Sequence, residues 1–246
     1  MPELIRPSWP APARVQAVST TRRGGVSAPP WNSLNLALHV EDDPAAVLEN
    51  RRRLAQAAGL PREPAWLEQV HGTRVIGEAA PDPAADGRFA STPGSVCAVL
   101  TADCLPILLC NGSGTAVAAV HAGWRGLLHG VIESALDCFP DSPSAIMAWL
   151  GPAIGPDAFE VGDEVREAFL RKQPGAEAAF SAHGFGKWLA DLYRLATERL
   201  KARGVSSIHG GGFCTYGDSE RFFSYRRDGR TGRMASLIWL ERGDDR

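Results

Sequence analysis

The stretch 95–136, SVCAVLTADCLPILLCNGSGTAVAAVHAGWRGLLHGVIESAL, decides the fold. Three of its runs, 95–101, 106–110 and 115–120, are rich in Val, Leu, Ile and Ala and do not alternate with polar residues. Short apolar runs of that kind suit strands covered on both faces. Directly after them, Leu127, Leu128, Val131, Ile132, Ala135 and Leu136 fall on one side of a 3.6-residue spiral, which predicts a helix. Buried strands feeding a helix predict an α/β layered architecture.

Working outward, the same pattern repeats. The spacing predicts strands over 15–21, 144–150, 206–209 and 233–240, and extended pieces over 65–70 and 73–76 that break at His71-Gly72. A helix is predicted over 44–58, where Asp43 can cap, Pro44 suits the first helical position and Gly59 follows the end. Further helices are predicted over 162–171 and 187–203; the second puts Trp188, Leu189, Leu192, Tyr193, Ala196 and Leu200 on one side, with Gly204 as its stop. Segments 22–33 and 78–94, dense in Gly, Pro and charged residues, read as loops. With no visible linker or repeat, residues 1–246 read as one domain with a mixed sheet.

Composition excludes several classes. With 26 Lys+Arg against 28 Asp+Glu, the chain offers no basic footprint for nucleic acid. Its 44% apolar content is too high for a disordered chain. No apolar run is long enough to span a membrane, and the Pro-rich start lacks a secretory apolar region. The five cysteines (97, 104, 110, 138, 214) are odd in number and never form C-x-x-C, which suits reduced thiols in a cytoplasm. The phosphate-binding G-x-x-x-x-G-K-[ST], the hydrolase G-x-S-x-G and the zincin H-E-x-x-H are all absent. Gly112-Ser113-Gly114 lacks the third small residue of a dinucleotide fingerprint and reads as a turn.

Three residues stand where chemistry is expected. His71 lies at the break between extended pieces, Cys104 at the edge of a buried strand, and His121 at the end of another, just before a helix. Strand ends are where ligand sites form in α/β sheets. Two imidazoles and a thiolate can give Zn²⁺ three protein ligands and leave a fourth position open, as catalytic sites do. The same residues also allow a Cys104–His121 nucleophilic dyad, or simply a buried thiol and hydrogen-bonded histidines. After His121, Gly123 and Gly126 let backbone N–H groups approach a ligand, and Arg125 at the helix start suits an anion such as phosphate. The Arg- and aromatic-rich tail 214–229 can hold a nucleobase or a phosphate, or can be core with surface ion pairs.

Six ordered strings together resemble one family: SLNLALHVEDDP (33–44), QVHG (69–72), TADCLPILL (101–109), AVHAGWRG (119–126), GPAIGPDAFEVGDEV (151–165), and CTY with FFSYRRDGRTGRMA (214–235). This is similar to the YfiH-like family, labelled multicopper polyphenol oxidoreductase or laccase-like. The resemblance implies a three-layer α/β/α domain with a mixed sheet, also seen in cytotoxic necrotizing factor toxins. It implies zinc on His71, Cys104 and His121, with copper as the other candidate. It also implies purine nucleoside chemistry: phosphorolysis of adenosine, inosine, guanosine and methylthioadenosine, and adenosine deamination. Some members are instead linked to amide cleavage in peptidoglycan precursors.

The laccase label fails on residue supply. A blue-copper site plus a trinuclear cluster needs more histidines than the six present, none of which forms a His-x-His pair. The purine reading assigns the remaining polar residues. Deamination needs a carboxylate proton shuttle, for which Asp103 and Glu160 are candidates. Phosphorolysis needs a held phosphate, expected at Arg125 and Arg226, and Asn35 is expected to bind sugar hydroxyls. The expected partners are a purine nucleoside and phosphate, with the chain a monomer or homodimer. Two other readings stay open: a Cys104/His121 amidohydrolase, and a metal-carrying module without turnover.

Overall fold

The computed structural model describes residues 1–242. In chain order its strands are β1 (Leu4–Ile5), β2 (Val15–Thr20), β3 (Val75–Gly77), β4 (Gly87–Ala90), β5 (Val96–Thr101), β6 (Leu105–Asn111), β7 (Val117–Ala122), β8 (Ile146–Leu150), β9 (Glu160–Gly162), β10 (Phe180–Ala182), β11 (Lys187–Ala190), β12 (Ser207–Gly210) and β13 (Met234–Leu240). The helices are α1 (Pro44–Ala58), α2 (Trp124–His129), α3 (Val131–Leu136), α4 (Asp163–Lys172), α5 (Leu192–Ala202) and α6 (Tyr225–Asp228).

Six strands form a mixed sheet in the order β12-β8-β6-β7-β4-β3, parallel at its two edges and antiparallel between them. Four more form an antiparallel sheet, β1-β2-β13-β5. The mixed α/β class expected from the sequence is present, and the β layer between the helices is two sheets thick. Strand alternation builds it. Leu105, Ile107 and Leu109 of β6 and Ala118, Val120 and Ala122 of β7 face the helical side, against α2, α3 and α5. Leu108, Cys110, Val117 and Ala119 face the second sheet, meeting Cys97, Val99 and Ile238. The outer face of that sheet is covered by α1 through Leu54 and Ala58. Both faces of β5, β6 and β7 are therefore dry, which is why these strands read as continuous apolar runs.

Helix α1 has the bounds expected of it: Asp43 caps Ala45 N–H at 3.0 Å, Pro44 opens the first turn, and Gly59 closes it in the left-handed conformation. Several segments differ from expectation; residues 65–70, for one, carry only an isolated bridge at Glu68. The helix after His121 is two helices, because Gly130 takes φ 105° and ends α2 while starting α3. Residues 187–190 are strand β11, not helix; Trp188 pairs with Val161, and the helix begins only where Asp191 caps Arg194 N–H. Within the expected loop 78–94 lies strand β4, too short to show a period.

Candidate metal centre

The ends of β5, β6 and β7 meet at one rim of the two-sheet layer. On β7, His121 continues the inter-sheet face of Val117 and Ala119. Antiparallel register sets Leu105 opposite Ala122 and Pro106 opposite His121, so Cys104, one residue before β6, lands beside the end of β7. His71 arrives from a separate loop held to β5 by Gln69, whose amide donates to Leu100 O (2.8 Å) and accepts from Leu100 N–H (2.7 Å). The three residues converge. Cys104 Sγ is 3.9 Å from His71 Nε2, the two imidazoles meet edge to face with centroids 4.8 Å apart, and one donor atom from each lies within 4.8 Å of the others.

Sequence reasoning missed the residue that organises this cluster. Asp86, fully buried immediately before β4, accepts His121 Nδ1–H at 2.8 Å and the backbone N–H groups of His71 (2.9 Å) and Gly72 (2.6 Å). Its own carbonyl accepts His121 N–H at 2.7 Å. One carboxylate thus fixes both histidines. By engaging Nδ1 of His121 it leaves Nε2 to face the cluster. Its signal was a lone Asp between small residues (Ala85-Asp86-Gly87) inside a segment otherwise read as loop.

The electrostatics favour a metal-ready thiolate. Burial alone would raise the Cys104 pKa, but the His121 charge and hydrogen bonds from His121 and His71 bring it below the usual thiol value. Burial would lower that of His121, but the Cys104 charge and Asp86 hold it above the usual imidazole value. Asp86 lies below the usual carboxylate value: burial opposes ionisation, and the donors from His121, Gly72 and His71 outweigh it.

The donor set fits one metal ion. Zinc bonds of about 2.3 Å to sulfur and about 2.0–2.1 Å to nitrogen put tetrahedral ligand atoms roughly 3.3–3.6 Å apart, somewhat closer than the 3.9 Å between Cys104 Sγ and His71 Nε2 and the 4.8 Å that bounds the three donors, so binding would draw them together. The backbone is shaped to the cluster as well. A Cβ on Gly123 would stand 3.1 Å from both Cys104 Sγ and His71 Cδ2, so a side chain there would press on two of the three donor residues. Both His71 (φ 59°) and Asp103 (φ 99°) hold left-handed backbone, which costs non-glycine residues energy and clusters at functional sites. Among the described residues no other group of three or more His, Cys, Asp or Glu could hold an ion, so a multi-copper assembly does not fit.

A cavity of about 450 Å³ opens on the cluster, lined by His39, Gln69, Leu100, Thr101, Ala102, Tyr225 and Arg233 besides the three donors. The remaining expected site residues sit elsewhere. Asn35 is fully buried, its amide donating to Ala37 O and Asp42 Oδ2 and accepting from Ala37 and Arg233 N–H, so it cannot reach a sugar hydroxyl. Asp103 is buried with both carboxylate oxygens engaged, by Thr215 Oγ1 and Arg226 N–H at 2.6 Å each, and is no free proton shuttle. Arg125 is exposed and stacks on Trp124, outside the cavity. The Arg226 guanidinium donates to Glu160 O in an adjoining groove, where the Glu160 carboxylate pairs with Lys187. Gly126 is no phosphate cradle, because a Cβ there would meet Gly72 O at 2.7 Å; α2 packs directly on the His71 loop.

Residues 16–241 match the family described as multi-copper polyphenol oxidoreductase laccase. The chain belongs to this family. Proteins named purine nucleoside phosphorylase YfiH, from Shigella flexneri and from Escherichia coli, are each 59% identical over 98% of this chain and 100% of their own length. A crystal structure of a Neisseria meningitidis protein superposes with TM-score 0.93 at 50% identity, covering 97% of this chain and 99% of that one. None of the described helices of this YfiH-family chain is long and apolar enough to cross a membrane.

Proposed function

We propose that this protein is a zinc-dependent purine nucleoside phosphorylase working in the cavity beside His71, Cys104 and His121. The observation that carries the reading is the full-length 59% identity to proteins of that name, joined to a metal-capable cluster, the one such group among the described residues, on the wall of a cavity of ligand size. Zinc held there supplies a Lewis acid to the cavity. The chain's own residues do the rest. Asp86 keeps His121 in one tautomer and His71 in place. The exposed Tyr225 ring at the rim offers a flat face to a purine. In the reaction an oxygen of hydrogen phosphate bonds C1′ as the C1′–N9 pair leaves with the purine, and the proton given up by phosphate ends on the base. Five free cysteines support a reducing, cytoplasmic setting.

Adenosine deamination is the weaker half of the reading. No Asp or Glu lines the cavity, so the carboxylate shuttle of zinc deaminases has no counterpart there. A second reading, a Cys104/His121 amidohydrolase, is favoured by the Asp86–His121–Cys104 alignment, which also orders a nucleophile and base. One assay separates them. Metal-replete protein given inosine and phosphate should release hypoxanthine and ribose-1-phosphate in equal amounts, and metal removal should stop it. No release, or activity on an amide that survives metal removal but not thiol alkylation, overturns the phosphorylase reading.

A further inference from the structure

The cavity lining holds one permanently charged side chain. It contains one guanidinium and three imidazoles and no carboxylate. Cys104, the one thiol in the lining, belongs to the metal-capable cluster. Arg233 is the fixed cation. Among the described residues it forms no ion pair, whereas Arg230, three residues earlier, pairs with Glu41 at 3.0 Å. Its Nη1 donates to Thr231 O (2.9 Å) and Gly232 O (3.1 Å), which clamps one arm of the fork, while Nε and Nη2 have no partner among the described residues. Its backbone is held too. Asn35 Oδ1 accepts Arg233 N–H at 2.9 Å, and Asn35 is tied in turn to Asp42 (2.9 Å) and, through its carbonyl, to Asn50 (2.9 Å). Its guanidinium carbon lies 5.7 Å from the centre of the Tyr225 ring, and Asp103 acts on its charge without forming an ion pair. A guanidinium whose backbone is fixed by a buried amide network and which no carboxylate pairs directly is built for an anion from outside the chain.

We infer that Arg233, with His39 in the same lining, is the oxyanion corner of the cavity, where inorganic phosphate is held in the same chamber as the metal cluster. The inference rests on the phosphorylase reading and deepens it. It also moves phosphate binding away from Arg125 and Arg226, neither of which lines the cavity. A planar fork suits two phosphate oxygens at once, and a lysine offers only a point charge. Asn35 is then a positioning residue, acting through the Arg233 backbone.

The test uses metal-replete protein and inorganic phosphate. In steady-state phosphorolysis of inosine, Arg233→Met should raise the phosphate KM by about 10–100-fold and leave the inosine KM nearly unchanged. Arg233→Lys should fall between Met and wild type, and it keeps the test alive if the Met variant does not fold. Arg230→Met is the control and should match wild type. Calorimetric titration with phosphate alone should show binding to wild type and none to Arg233→Met, with zinc content and unfolding midpoint preserved. Active Arg233→Met with an unchanged phosphate KM overturns the oxyanion corner and leaves the phosphorylase reading standing. Phosphate binding that depends on Arg233, without turnover of any purine nucleoside, overturns the phosphorylase reading and leaves the corner standing.

Discussion

Cys97 and Cys110 lie in the middle of the two-sheet layer, and Cys104 lies at its rim, between the strands that carry them. The two regions treat a thiol in opposite ways. In the middle, burial among aliphatic side chains pushes both thiols up to about 12. At the rim, burial works in the same direction but is overcome by His121 and His71, and Cys104 moves down. Burial alone therefore silences a cysteine. What activates one here is a strand end where a histidine, itself gripped by the buried Asp86, replaces the next aliphatic side chain.

The largest effect should come from exchanging the two kinds of cysteine. Cys104→Ala should lose stoichiometric metal and at least about 10²–10³-fold in phosphorolysis. Cys97→Ala and Cys110→Ala should keep both and lose only about 1–2 kcal/mol in chemical unfolding. Equal loss of metal from all three would erase the contrast. Next, Asp86→Ala should weaken metal binding by about 10–100-fold in competition with a chelator, because it frees His121 and the His71 loop together.

Asp86 also sets a pH dependence. Its pKa is depressed in the folded protein, so its stabilisation is complete above the ordinary carboxylate value, about 4, and is lost as pH falls through the lower folded value. The stability gap between wild type and Asp86→Asn should accordingly shrink below that pH in unfolding experiments, and a gap that stays constant would contradict the assignment. Smaller again is a kinetic difference. In metal-stripped protein, iodoacetamide should modify Cys104 almost as fast at pH 7 as at pH 9, where an ordinary thiol would slow about 20-fold. Cys97 and Cys110 should stay unmodified at both values, as read by peptide mass spectrometry.

Much of this was visible in the chain itself. Helix α1 announces both its ends through Asp43, Pro44 and Gly59. The apolar runs around β5, β6 and β7 are long enough for their burial to show, and His121 and Cys104 stand at their ends. What was hidden has physical reasons. Strand β4 has four residues, too few for a period, and so Asp86 beside it was lost in a loop. Trp188 and Leu189 suit a helical face as well as a strand, and only pairing with β9 decides between them. Asn35 and Asp103 look like site residues because polar groups in apolar motifs are conspicuous, yet they serve the backbone of Arg233 and Arg226. Arg233 itself opens an apolar strand, where a lone arginine gives no sign that it faces a cavity.

The central claim is that two imidazoles and one thiolate share a single ion. X-ray absorption at the zinc edge of purified protein tests it most directly. The expected first shell has one sulfur at about 2.3 Å and two nitrogens at about 2.0–2.1 Å, with the sulfur signal gone in Cys104→Ala. A shell of oxygen and nitrogen only, or a sulfur signal that survives that substitution, would contradict it.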